Sequence, residues 1–213
     1  MILNFYKAVP LAVIFIVVVS LTACVALGGT SLPTRFYTLS VEPVDKTDDH
    51  HALSELTSKL SVDIHLVELP DILERPQIVT RIDKNRIKLG DFDQWAGDLK
   101  ADMAHTIVSE LKKSLNTDRV FIFPRLTNKP VSYQVKINVI QFDGVLGGNT
   151  VLRGSWALFQ GLNSKELVYE DFSLRVAASG ENYIDTVSAL SDLLVMLAEK
   201  IAQSILDFEA SIP

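Results

Sequence analysis

Two rhythms of apolar and polar positions run along this chain. Leu60, Val62, Ile64 and Leu66 alternate with Ser61, Asp63 and His65, the period of a strand with one buried face. Residues 133–143, 150–160 and 166–176 read as three longer strands. Gly147-Gly148-Asn149 and Gly161-Leu162-Asn163-Ser164 supply the turns between them. By contrast, Trp95, Leu99, Met103, Ile107, Leu111 and Leu115 recur every four residues, with Ala96, Ala104 and Val108 beside them. That spacing predicts one apolar face of a long helix, capped near Asp91 or Asp93. A second stripe, Ile184, Val187, Leu190, Leu194, Leu197, Ile201 and Ile205, predicts another long helix near the C-terminus.

Shorter signals fill the gaps. Residues 35–41 are rich in aromatic and β-branched side chains and read as a strand, as does the apolar run 120–123. Between Pro70 and Pro76, Asp71 and Glu74 have capping-box spacing, which predicts one helical turn. Residues 77–82 and 86–89, joined by Asp83-Lys84-Asn85, read as a small hairpin. Trp95 and Trp156 fall on apolar faces and are expected in the core. The order strands, helix, strands, helix predicts an α/β fold in one domain: a mixed, largely antiparallel sheet covered by two long helices.

The N-terminus carries a different message. After Lys7 an apolar run, broken by Pro10 and Ser20, ends in Leu21-Thr22-Ala23-Cys24, the layout of a secretory signal closing on small residues and a cysteine. The four-residue box is similar to that of bacterial lipoprotein signals, and the resemblance implies cleavage before Cys24 and acylation of Cys24. An uncleaved anchor is the competing reading, because apolar character continues through Val25, Ala26 and Leu27 and about twenty residues can span a bilayer. Pro10 inside so short a helix counts against it. Either way the body is exported. Val25 follows the cysteine where inner-membrane retention usually has aspartate, so sorting to the outer membrane, facing the periplasm, is what the lipoprotein class implies.

Residues 1–23 are thus read as signal peptide, 24–33 as a lipidated tether and 34–213 as the folded periplasmic domain. The tether contains Gly28-Gly29-Thr30-Ser31 and Pro33 and has no periodic apolar pattern. Removing 23 of 213 residues leaves 190, enough for one domain with its own core. Cys24 is the sole cysteine, so the chain forms no internal disulfide in an oxidising compartment. Lys7 leaves with the signal, so 19 Lys and Arg remain against 26 Asp and Glu, a formal charge of −7. With no cationic cluster to neutralise phosphate, nucleic acid is excluded as a partner.

Enzyme chemistry finds little support. His50 and His51 beside Asp48 and Asp49 could chelate a metal, but adjacent ligands in a polar loop lack the spacing of a formed site. His65 lies on the polar side of its strand, and His105 has no second histidine one helical turn away. There is no nucleophile elbow, no phosphate-binding glycine loop and no cysteine left for catalysis. No catalytic residue, metal ligand or cofactor is assigned.

Arg35-Phe36-Tyr37-Thr38-Leu39, Val67-Glu68-Leu69-Pro70 with Leu73, the stretch Arg75-Pro76-Gln77-Ile78-Val79-Thr80-Arg81, and Trp95 together resemble the PqiC (YmbA) family, auxiliary lipoproteins of ABC-type or MCE-type transport systems. The resemblance spans nearly the whole mature chain, and residues 75–81 are its most specific part. It implies a non-catalytic outer-membrane subunit that docks on a periplasm-spanning MCE-domain protein (PqiB-like), supports lipid movement between the membranes, and self-assembles as a homo-oligomeric ring. On physical grounds Arg75, Pro76, Ile78 and Arg81 form a candidate docking edge, with apolar and guanidinium groups along one strand. The alternative is structural: Ile78 and Val79 in the core, and Arg75 or Arg81 paired with Glu68, Asp71 or Glu74. Two other functions remain open at this stage. One is an assembly lipoprotein of an outer-membrane barrel or lipopolysaccharide translocon, the other a lipid-anchored envelope hydrolase.

Overall fold

Alternation and helical periodicity become ten elements in a computed structural model, which describes residues 32–40, 60–126, 129–161 and 164–211. The box ending in Cys24, most of the tether and the loop holding His50 and His51 lie outside the described residues. The strands are β1 (Arg35–Tyr37), β2 (Val62–Glu68), β3 (Gln77–Arg81), β4 (Ile87–Trp95), β5 (Val120–Ile122), β6 (Tyr133–Gly144), β7 (Asn149–Gln160) and β8 (Glu166–Ala177). The helices are α1 (Leu99–Ser114) and α2 (Tyr183–Ala210), and a single 3-10 turn covers Asp71–Leu73. Among the described residues no helix is long and apolar enough to cross a membrane.

The strands build two sheets, both mixed. Five strands in the order β5-β2-β6-β7-β8 form the larger, with β2 parallel to both neighbours and β6, β7 and β8 an antiparallel meander. Three strands in the order β1-β4-β3 form the smaller, β1 parallel and β3 antiparallel to β4. Helix α2 packs on β6, β7 and β8, while α1 packs on α2, β2 and β5. The core lies between helices and large sheet: Met103, Ile107 and Leu111 of α1 meet Leu190, Leu194, Leu197 and Ile201 of α2, above Ile137, Leu152, Trp156 and Leu158. Truncating one such leucine to alanine costs about 2–5 kcal/mol, so this layer dominates stability. Gly154 lets β7 approach β6 here, since a Cβ would sit 2.0 Å from the Asn138 carbonyl oxygen.

Several boundaries differ from the sequence reading. Trp95 is buried as expected, but it closes β4, where its N–H donates to the Pro76 carbonyl at 2.7 Å, and does not open the helix. Ala96 is exposed. The four-residue spacing from Trp95 to Leu99 spans Gly97 and Asp98, and the cap is Asp98, whose carboxylate accepts the Ala101 N–H at 2.7 Å. Asp91 and Asp93 instead extend β4 well beyond Leu89. Ser61 and Asp63 are buried, so the second face of β2 is covered there as well, by Ser132 against Ser61 and by the Arg125 guanidinium against Asp63. Ile184 belongs to the α2 stripe by spacing yet is exposed, its inward place taken by Tyr183.

The small sheet is fastened to the rest at two points. Tyr37 packs against Tyr183 with ring centroids 6.3 Å apart, and the Ser40 N–H donates to Ser191 Oγ, so β1 follows the first turns of α2. At the other edge Arg81 of β3 binds Asp143 of β6. Within the sheet, buried Asp93 accepts from Arg35 at 2.8 Å and from the Tyr37 hydroxyl at 2.6 Å. Burial and this carboxylate together push the Tyr37 phenol up to about 12.

Candidate docking surface

The segment between β2 and β3 is rigid for reasons its sequence supplies. Leu69 and Leu73 are buried and pin both ends of the 3-10 turn. The Leu73 N–H donates to the Pro70 carbonyl at 2.8 Å, and the Glu74 N–H to the Asp71 carbonyl at 3.1 Å. Pro70 and Pro76 limit the flanking dihedrals. Glu68, Asp71, Glu74 and Pro76 are left at the surface.

The four residues of the predicted edge have different fates. Ile78 is fully buried, so its side chain supports the surface from beneath and offers nothing to a partner. Arg81 is engaged with Asp143, Nη2 to Oδ2 at 2.6 Å and Nε to Oδ1 at 3.2 Å. Its partner is thus neither Glu68, Asp71 nor Glu74, and the carboxylate holds the guanidinium above its ordinary pKa. Pro76 is exposed. Arg75 is half-buried, and its Nε finds no hydrogen-bond partner among the described residues. A buried donor without an acceptor is costly.

Sequence reasoning missed the other side of this surface, which belongs to β6. Ile140 lies on the outer face of β6, in phase with Lys136 and Asn138, and is 55% exposed; the register shift between Val139 and Gln141 makes it the extra residue of a β-bulge, after which Phe142 turns inward. Two adjoining cavities meet at Pro70 and Ile140. The smaller, about 110 Å³, lies between Ile72 and the Arg81–Asp143 pair. The larger, about 510 Å³, is lined by Leu69, Val139 and Ile140 together with Glu68, Asp71, Glu74 and Lys100. A mainly polar and acidic lining beside the exposed Ile140 suits a partner that brings cations next to an apolar side chain. The signal for Ile140 was present: a period-two count from Tyr133 puts it on the outer face with Lys136 and Asn138, an apolar residue among polar ones.

A second polar cluster sits at the β2–β5 edge. The Arg125 guanidinium lies 5.5 Å from the Phe121 ring centroid and places Nε 2.7 Å from Asp63 Oδ1, out of line for a hydrogen bond. His65 stacks on Phe123 at 4.0 Å. Burial lowers the His65 pKa, with Asp63 opposing and Lys136 reinforcing the shift. Among the described residues no group of three His, Cys, Asp or Glu side chains is placed to hold a metal ion.

The family model for the ABC-type transport auxiliary lipoprotein component matches residues 37–202, which includes the whole docking segment, α1 and most of α2. The chain belongs to this family. Solved structures agree on the fold of the auxiliary lipoprotein. A protein described as uncharacterised superposes with a TM-score of 0.63 at 18% identity, over 82% of this chain and 99% of the other. Protein XCC0632 from Xanthomonas campestris gives 0.59 at 12% identity, over 69% and 84%. A dodecameric PelC from Paraburkholderia phytofirmans gives 0.41 at 11% identity, over 68% and 88%, too distant to bear on assembly. No curated protein matches the chain. For an auxiliary component of a transport system, a rigid surface for binding another protein is the expected functional feature, and the groove beside residues 70–76 has that character.

Proposed function

We propose that this auxiliary lipoprotein is held by lipid on Cys24 at the outer membrane, faces the periplasm, and docks on a periplasm-spanning MCE-domain protein, supporting lipid movement between inner and outer membranes. The family match over residues 37–202 carries the transport reading. The docking surface in this reading is the groove of Pro70, Ile140 and the acidic groups around it, extended by exposed Pro76 and half-buried Arg75. Ile78 and Arg81 hold that surface in shape. Copies of the subunit form a ring around the MCE tube, and the role needs neither a catalytic residue nor a cofactor.

Crosslinking in cells, followed by purification from detergent-solubilised membranes and mass spectrometry, tests this. The expected result is recovery of an MCE-domain protein by the wild type and its loss from Ile140→Asp and Arg75→Ala, both with unchanged thermal unfolding. Recovery of a β-barrel alone would move the protein to outer-membrane assembly. A stable body that captures no partner and instead turns over an envelope substrate, with activity lost on one His substitution, would make it a hydrolase.

A further inference from the structure

We propose that the end of the body from which the tether departs is a second membrane contact, seated on the bilayer that holds the acylated Cys24. The proposal rests on the lipid-anchor reading of Cys24. Chain direction defines this end. β1 runs parallel to β4 with Arg35 opposite Asp93, so the N-terminal end of β1 faces the tip of the β3–β4 hairpin. β1 also follows α2 from Tyr183 to Ser191, which puts the first turn of α2 at the same end. The Arg81–Asp143 pair sets the hairpin beside the end of β6 and the turn after it. That turn is tied to the segment before α2 by the Ala178 N–H donating to the Gly148 carbonyl at 2.9 Å.

Exposed apolar side chains collect there. Ile82 is 52% exposed, Ile87 38%, Val145 41% and Ile184 70%, on three elements that these contacts bring to one end. Single exposed hydrophobics are ordinary, but a group at one end marks a contact surface. The hairpin adds charge of the sign that phospholipid headgroups attract. Asp83 neutralises Arg86 at 2.6 Å, leaving Lys84 and Lys88 beside the two isoleucines in a protein that is acidic overall. The tip is also preorganised: Asp83 Oδ1 accepts the N–H groups of Asn85 and Arg86, and Arg81 Nη1 donates to the Lys84 carbonyl. Little ordering remains to be done on contact.

The lengths agree. Six residues of β4 separate Asp93 from Ile87, roughly 20 Å at about 3.4 Å per residue. A Gly/Ser-type linker of the length separating Cys24 from Thr34 averages about 17 to 19 Å end to end. A linker at its unstrained extension therefore lets the hairpin tip reach the plane of the anchor.

The test uses the full chain, acylated in cells and reconstituted into vesicles of phosphatidylethanolamine and phosphatidylglycerol. An environment-sensitive fluorophore is placed by Ile82→Cys, Ile184→Cys or Gln203→Cys, the last exposed on the far half of α2. Quenching by brominated lipid and a blue shift at positions 82 and 184, with neither at 203, are the expected results. Quenching absent at both 82 and 184, or equal at all three, overturns the proposal while leaving the anchor intact. Labelling of the wild type at Cys24 would show a free thiol, which removes the anchor reading and this proposal with it.

Discussion

Arg81 of β3 and Asp143 of β6 are joined by two parallel hydrogen bonds, 2.6 and 3.2 Å long, that latch the edge of the small sheet onto the large one. Gln141 Nε2 adds a third contact to the same carboxylate at 2.8 Å. The latch holds the hairpin, the 3-10 segment and the bulged part of β6 in one arrangement. A residue that reads from sequence as a docking cation therefore has a structural contact within the fold.

Removing one partner leaves the other unbalanced in a nearly dry site. Asp143→Ala is expected to destabilise the protein by about 2–3 kcal/mol, below the about 3–5 of a fully buried pair because water reaches Arg81. Urea unfolding measures this, and a double-mutant cycle with Arg81→Ala gives the coupling. An Asp143→Ala protein as stable as wild type would mean that apolar packing alone aligns the sheets.

Glu110 carries an unfavourable charge. Its side chain is buried in α1, its Oε1 has no partner among the described residues, and Lys113 stands 3.8 Å away. Burial raises its folded pKa above the ordinary 4.5, Lys113 working against the shift and Glu199 with it. The folded state thus binds the proton more tightly, and stability falls as pH rises through the unfolded value. Glu110→Gln is expected to match wild type near pH 4 and to exceed it by about 1 kcal/mol at neutral pH. Equal unfolding free energies across that range would contradict this.

His65 shows the opposite sign. Its folded pKa lies below 6.5 because burial against Phe123 disfavours the cation, so the unfolded chain takes up a proton first as pH falls. Stability is full above about 6.5 and is lost through the folded pKa below it. The unfolding free energy of His65→Gln should lack that component. NMR titration of the imidazole reads the folded value directly, and one at or above 6.5 would refute the prediction.

Cys24 is tested by labelled palmitate. Wild type is expected to incorporate it and to fractionate with the outer membrane, whereas Cys24→Ser incorporates none. Wild type without label, reaching the membrane as Cys24→Ser does, would point to an uncleaved apolar anchor.

Much of the architecture was legible because it is local. The stripes of α1 and α2 and the alternation of β6, β7 and β8 each arise within one element, where period reports directly on burial. Legibility failed where a distant segment decided the outcome. Trp95 matched a helical spacing because four residues separate it from Leu99, yet pairing with Tyr37 across 58 positions makes it the end of a strand. Asp93 looked like a helix cap, and Arg35 and Tyr37 gave it a place inside a sheet. Within residues 75–81, side-chain identity could not tell surface from interior: Ile78 went inward and Arg81 went to Asp143.

By itself, then, the amino-acid pattern determined the two helices, the long hairpinned strands, the α/β class and the box at Cys24, since each depends on neighbours within a few residues. The tertiary structure alone decided that the strands divide into two sheets, that β2 runs parallel between β5 and β6, that a bulge after Val139 turns Phe142 inward, and that Arg81 meets a carboxylate 62 residues away. The physical reason is that those outcomes depend on contacts between remote segments, whose energies compete across the whole chain and leave no period in any one stretch of it.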